Sequence, residues 1–142
     1  MGASTQQLSI LEALGRHWAA SNAGDDETEG EIYCDDVELE YPQSGERFRG
    51  RHNVLASRAK NPARRRFEVR RVVGSGNVWV TEYLIFYDER PISTVSIMEF
   101  RDGKVARETQ YFADTFEAPA WRARWRDAPV GPSASSEAGA GK

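Results

Sequence analysis

Phe100-Arg101-Asp102-Gly103-Lys104-Val105-Ala106-Arg107-Glu108-Thr109-Gln110-Tyr111-Phe112-Ala113-Asp114 sets an Asp-Gly pair between two runs of strand-forming residues. An Asp-Gly pair in that setting is a strong short-range hairpin signal, because both residues tolerate the left-handed backbone of a tight turn. Side chains alternate along a strand, so a slip of one residue exchanges the two faces. A two-residue loop, Asp102-Gly103, pairs Met98 with Arg107 and groups Met98 with Arg107, Thr109 and Tyr111. A three-residue loop, Arg101-Asp102-Gly103, with Gly103 left-handed in a bulge, pairs Met98 with Ala106. That register collects Ser96, Met98, Phe100, Glu108, Gln110 and Phe112 on one face.

Upstream of the hairpin the chain reads as more strands. Arg65–Val73, Asn77–Tyr87 and Ile92–Arg101 are separated by Gly74-Ser75-Gly76 and Asp88-Glu89-Arg90-Pro91, whose composition is that of turns. Before them come helices. Leu8, Leu11, Leu14 and Trp18 recur at near-helical spacing from Gln6, with Thr5 as a start signal and Asn22-Ala23-Gly24 as a stop. The acidic run Asp25 to Glu31 predicts a short second helix whose first turn favours carboxylates, leading into Ile32 and Tyr33. Val37-Glu38-Leu39-Glu40-Tyr41 alternates strictly and is a strand ended by Pro42; Glu46 to Arg49 is a short return strand. Gly50 to Ala59 reads as a third helix closed by Asn61-Pro62. Trp121 and Trp125, four residues apart, predict a short C-terminal helix that plugs the sheet or meets a second subunit.

Helices first and antiparallel strands after make an α+β fold, with the helices packed on one side of the sheet. A curved sheet with a long helix across its open side leaves a cone whose mouth holds a ligand. The chain has 142 residues, enough for one core, and its 39% hydrophobic and 11% aromatic content is that of a folded domain. The domain is expected over 1–126, and the Pro/Gly/Ala/Ser-rich 127–142 is expected to be a disordered tail. A formal net charge of -3 with both signs interspersed argues against a nucleic-acid partner, whose phosphates call for a basic surplus. The cluster Arg64-Arg65-Arg66 with Arg70-Arg71 reads as a charged strand edge. Cys34 is the single cysteine, which leaves no intrachain disulfide and no zinc-ligand spacing. The acidic run lacks a histidine or a calcium-loop pattern, so no metal site is expected. Neither a signal peptide nor an 18-residue apolar run is present, so a cytoplasmic protein away from membranes is expected.

Three segments together resemble the nuclear transport factor 2-like superfamily, in its SnoaL-like and ketosteroid-isomerase-like branch. They are Arg16-His17-Trp18 through the Asn22-Ala23-Gly24-Asp25 exit; Tyr33-Cys34-Asp35-Asp36-Val37 through Tyr41-Pro42 with Gly50-Arg51; and the Asp102-Gly103 hairpin with its closing Tyr111-Phe112. The likeness spans roughly residues 6–116. It implies a cone-shaped α+β barrel, with a curved mixed or antiparallel sheet wrapped around N-terminal helices. It also implies a small-molecule ligand in the cone, no cofactor, and pairing into a homodimer.

The family's catalytic positions transfer poorly. The helix-one tyrosine of the ketosteroid isomerases falls on His17, their general-base aspartate on Tyr41 before Pro42, and their second aspartate on Met98. The Arg/Asp pair of limonene-epoxide-hydrolase-like enzymes falls on Tyr83 and Ile85. The final-strand aspartate shared with SnoaL-like cyclases falls on Gln110, an amide that orients a ligand but accepts no proton at neutral pH. The resemblance favours the bulged register, because the family's pocket positions fall on its inner face. Glu108 is then a carboxylate in a largely apolar cone, the candidate for proton transfer, with Arg107 and Arg70 as the neighbouring arginines that would otherwise pair with it. His17 is the second catalytic candidate, as a donor to oxyanion charge or a proton shuttle. Tyr41, Tyr83, Met98, Gln110 and Phe112 are the candidate ligand-binding residues. These residues suit a cofactor-independent isomerase, cyclase or dehydratase acting on a small, partly apolar molecule. The other reading is a non-catalytic binding or dimeric interaction module of the same fold.

Overall fold

The structure, a computed structural model, describes residues 4–128. Helix α1 runs Thr5–Ala23. Its start is a capping box one residue earlier than the sequence indicates: Ser4 Oγ accepts from Gln7 N, and Gln7 Oε1 accepts from Ser4 N, each at 3.0 Å. Gly24, with φ +75°, ends the helix in the left-handed conformation, its N–H directed at the last carbonyls. The buried stripe is Ile10, Leu14, His17, Trp18 and Ser21. Leu8 and Leu11, which the spacing placed on that stripe, are exposed. The inward face includes a histidine and a serine, so apolar spacing alone picks a stripe rotated from the true one.

Helix α2 is short, Asp26–Gly30, and is capped by Asp25, whose side chain accepts from Thr28 N. Strand β1 begins at Tyr33, not Val37, and runs to Tyr41. Strand β2 (Glu46–Arg49) folds back on it, and helix α3 (Arg51–Ala59) follows. Strands β3 (Arg65–Ser75), β4 (Val78–Tyr87), β5 (Arg90–Arg101) and β6 (Lys104–Asp114) form an antiparallel meander. The sheet order is β2-β1-β6-β5-β4-β3, antiparallel throughout except for the parallel pair β1–β6. The sheet is therefore mixed, curved and open, and with the helices on its inner side it is the expected cone-shaped α+β fold. The core joins Ile10, Leu14 and Trp18 of α1 to Val37 and Leu39 of β1, Val54 of α3, and the inward residues of β4, β5 and β6.

The Asp102-Gly103 hairpin corrects both expected registers. The loop has two residues, both left-handed (φ +53° and +82°), and Arg101 faces Lys104. A bulge one step further in, at Ala106, shifts the pairing so that Glu99 faces Arg107 and Met98 faces Glu108. The tight turn alone would aim Arg107 and Thr109 inward. The extra residue in β6 turns the strand over, and Glu108 and Gln110 point into the molecule as the bulged reading had them.

From Thr115 onward the chain leaves the sheet. Ala120–Trp125 is one stretch of 3-10 helix, not an α-helix, and Trp121 and Trp125 are 72% and 71% exposed. They do not plug the sheet. Arg122 and Arg124 stack on their rings at 5.4 and 4.9 Å. The expected tail falls, from residue 129, outside the described residues.

Candidate functional site

Between the helices and the concave face of the sheet lies a cavity of about 600 Å³. Its walls are strongly aromatic: Trp18, Tyr41, Phe48, Phe67, Tyr83, Tyr87 and Phe112, with Ile85 and Ile92 between them. Each enters from an element already fixed by packing: Trp18 from α1, Tyr41 from β1, Phe67 from β3 and Phe112 from β6. Tyr41 stands edge-on to Phe48 and to Phe112 at 5.3 and 5.4 Å, and Trp18 lies 4.4 Å from Tyr83. Such tilted pairs are favourable and hold the walls in place.

Five polar residues of the cavity, His17, Glu29, Arg58, Tyr83 and Gln110, belong to one network centred on Arg58, while Glu46, Ser57, Asn61 and Arg65 line the cavity outside it. Val54 is fully buried, and Arg58, one helical turn later on the same face of α3, follows it inward. The side chain of Arg58 is only 14% exposed. Its Nη1 donates to Tyr33 Oη (2.8 Å) and Glu29 Oε2 (3.3 Å); its Nη2 donates to Glu108 Oε1 and to Gln110 Oε1, both at 3.2 Å. Tyr33 Oη donates in turn to Glu108 Oε1 at 2.6 Å. Gln110 Nε2 donates to Tyr83 Oη (2.6 Å) and Ser96 Oγ (3.0 Å). His17 Nδ1 lies 2.8 Å from the Glu29 carbonyl oxygen, which fixes the proton on Nδ1 and leaves Nε2 as an acceptor.

Burial dominates the electrostatics. It pushes the His17 imidazole down to about 4, against the pull of the Glu108 charge, so the ring is neutral at pH 7. Burial raises the Glu29 carboxyl, and the Arg58 charge only partly offsets it. Burial likewise raises the Tyr83 hydroxyl, helped by the Glu108 charge. It works against the charge on Arg58, but Tyr33, Glu108 and Glu29 more than compensate and hold the guanidinium protonated.

His17, Tyr41, Tyr83, Gln110 and Phe112 all line the cavity. Met98 is fully buried but lines no part of it, so it is core and not ligand surface. Glu108 is also fully buried and absent from the walls. Its Oε1 is engaged by Tyr33 and Arg58, and its Oε2 has no partner among the described residues. The arginines that the sequence set beside Glu108 pair elsewhere, Arg107 with Glu40 at 2.6 Å and Arg70 with Glu82 at 3.6 Å.

Three members of the network escape a reading of the sequence. Tyr33 lies before the alternating part of β1, and Glu29 sits within a run of carboxylates that reads as a solvated helix start. Arg58 is the most legible of them, one turn after Val54, although an arginine at an inward helical position looks like an error until its partners are known. Among the described residues no group of His, Cys, Asp and Glu is arranged to hold a metal, and no helix is long and apolar enough to cross a membrane.

An α+β cone with a ligand-sized, aromatic-walled cavity defines a class of small-molecule-binding proteins. Residues 14–108 match the SnoaL-like domain, and the chain belongs to that family. An NTF-2 like protein of unknown function from Burkholderia xenovorans LB400 is 54% identical, over 90% of this chain and 100% of its own, with a TM-score of 0.85. A Kribbella flavida DSM 17836 protein provisionally described as a ketosteroid isomerase is 21% identical over 87% of this chain and 92% of its own (TM-score 0.78). An LEH-like epoxide hydrolase of M. tuberculosis is 18% identical over 74% of this chain and 83% of its own (TM-score 0.62). At those two identities the likeness is one of fold. No curated protein matches the chain.

Proposed function

We propose that the cavity takes a small, partly apolar molecule and that the protein acts on it without a cofactor, by acid/base chemistry, as an isomerase, cyclase or dehydratase. One observation carries this reading: His17, Glu29, Arg58, Gln110 and Tyr83 are joined by hydrogen bonds, His17 through the Glu29 backbone carbonyl, and each lines a cavity rich in aromatic side chains. Apolar walls supply affinity, and a linked polar group can move or hold a proton at a fixed place. His17 serves as an uncharged acceptor through Nε2, and Gln110 and Tyr83 orient a ligand oxygen. The relatives described as an isomerase and an epoxide hydrolase are compatible with such chemistry on this fold.

A second reading is retention of a ligand without turnover. It is favoured by Glu108, a fully buried carboxylate held by Tyr33 at 2.6 Å, standing off the cavity wall. Screening uncharged ketones, lactones and secondary alcohols by quenching of Trp18 fluorescence, with mass spectrometry of the recovered compound, separates the two. A changed mass or isomer ratio supports catalysis, and an unchanged tight ligand supports retention. Failure of every compound to bind sinks both. Pairing of two copies through the outer sheet face, where Val73, Val78 and Tyr111 are exposed, belongs to the same proposal and is tested by sedimentation.

A further inference from the structure

Arg58 is one positive charge between two buried carboxyl groups, Glu29 and Glu108. The other polar side chains of the network, Tyr33, Gln110, Tyr83 and Ser96, are uncharged, and His17 is neutral. Arg65, the second guanidinium on the cavity wall, makes no ion pair with either carboxyl, so two ionised carboxylates around Arg58 would leave one buried negative charge without a paired counter-charge, which is unfavourable. A proton shared by the pair removes it, as in other coupled carboxyl pairs.

The hydrogen bonds say where that proton goes. Glu108 Oε1 receives two donors, Tyr33 Oη at 2.6 Å and Arg58 Nη2 at 3.2 Å. Glu29 receives one, from Arg58 Nη1 at 3.3 Å. Donors favour the charged form of a carboxyl in proportion to their number and closeness. Glu29 lines the cavity and Glu108 does not.

We infer that the proton of the pair resides on Glu29, making Glu29 the proton donor of the cavity and Glu108 the fixed counter-charge of Arg58, and that the ligand presents a carbonyl or hydroxyl oxygen to that donor. This rests on the small-molecule reading above. The groups facing Glu29 agree with it. Arg58 of α3 and Arg65 of β3 draw the carboxyl toward ionisation, Asp26 on its own helix and Glu108 of β6 oppose that, and burial outweighs them all. The Glu29 carbonyl is spent on His17 Nδ1, so the acid and the His17 Nε2 acceptor stand on neighbouring parts of one wall. An acid that gives its proton to a ligand oxygen while Nε2 takes one from the ligand leaves the site with no net change in charge. Arg58 is saturated by protein acceptors, whereas Arg65, which also lines the cavity, makes no ion pair among the described residues.

Infrared difference spectroscopy on the full-length protein at pH 7 reads the proton directly. The wild type is expected to show the C=O stretch of a protonated carboxylic acid, and Glu29→Gln to lose it. Persistence of the band in Glu29→Gln, or its absence from the wild type, overturns the assignment. Should Glu29→Gln fail to fold, a site-assigned carbon-13 carboxyl titration of the wild-type glutamates decides the same point. The ligand half is tested with 2-acetylnaphthalene and 2-ethylnaphthalene, which has no oxygen. The ketone is expected to bind at least about tenfold more tightly at pH 7, and equal or reversed affinities overturn it. If neither probe binds while the Glu29 band is present, the small-molecule reading and the ligand half fail together, and the proton assignment stands.

Discussion

Arg58 holds more of the interior together than any apolar side chain of its helix. Truncating it leaves Glu108 as a charge with no countercharge in a fully buried position. Arg58→Ala is therefore expected to lose about 3–5 kcal/mol, visible as a lower midpoint in urea with an unchanged slope. Tyr33→Phe removes the 2.6 Å bond to the same carboxylate and is expected to cost about 1.5–3 kcal/mol. His17 carries a pH signature. Between its folded value of about 4 and its ordinary value of about 6.5, the unfolded chain binds a proton that the folded chain refuses. Stability therefore rises with pH through that window and is lost on acidification, by about 3 kcal/mol over its full width. Glu29 acts in the opposite sense: with its carboxyl raised, its contribution is complete below the ordinary carboxylate value and is lost as pH rises through the raised one. Denaturation curves from pH 4 to 7 are expected to flatten in His17→Gln and to steepen in Glu29→Gln. At this scale the sequence was only partly informative. His17, Tyr83 and Gln110 were legible through position, whereas Glu29 and Arg58 were hidden because charged residues ordinarily mark solvent, and their burial depends on partners 25 to 52 residues away.

At the scale of elements, the β5–β6 hairpin decides which side chains belong to the interior. Its turn uses two left-handed residues, and Gly103 at φ +82° has no neighbour that an added Cβ would strike. Gly103→Ala is therefore a purely conformational change, expected to cost about 1 kcal/mol in a thermal melt. Deleting Ala106 removes the bulge while leaving Glu99 opposite Arg107 and Met98 opposite Glu108, so the same side chains stay inward and the cooperative transition is expected to survive in a urea titration. Strands and helices were recovered from the sequence to within a few residues, since alternation and turn composition are local properties. The bulge was not placed, because the residue in it has nothing to mark it; what selects it is the fit of Glu108 to Arg58 and Tyr33. Strand β1 was read four residues short for a related reason. Tyr33-Cys34-Asp35-Asp36 lacks alternation, and its pairing is irregular between Tyr33 and Glu38.

At the scale of the molecule, cavity and core are two parts of one concave face, and the described residues beyond β6, 115–128, line neither. Phe116, Trp121 and Trp125 are all at least 71% exposed. Replacing Phe116, Trp121 and Trp125 together by Ala is expected to leave the unfolding free energy within about 0.5 kcal/mol by urea titration and to retain any ligand that quenches Trp18. The fold was legible from the order of helices and strands. The length of the cavity walls was not, since it depends on how far the sheet curves.

The parallel pairing of β1 with β6 also bears on how the protein is made. Leu39 meets Glu108, and Tyr33 meets Val105, so a strand synthesised early waits for the last strand of the sheet before either is covered. The β1–β2 hairpin and α3 leave the ribosome with their apolar face open, and β5 has only one of its two neighbours, β4, until β6 arrives. Closing so distant a contact is slow, and unpaired edges are exposed meanwhile. Translation is then the stage at which this chain is most prone to aggregate, and chaperone occupancy on nascent chains should fall sharply only once residues 104–114 have cleared the exit tunnel.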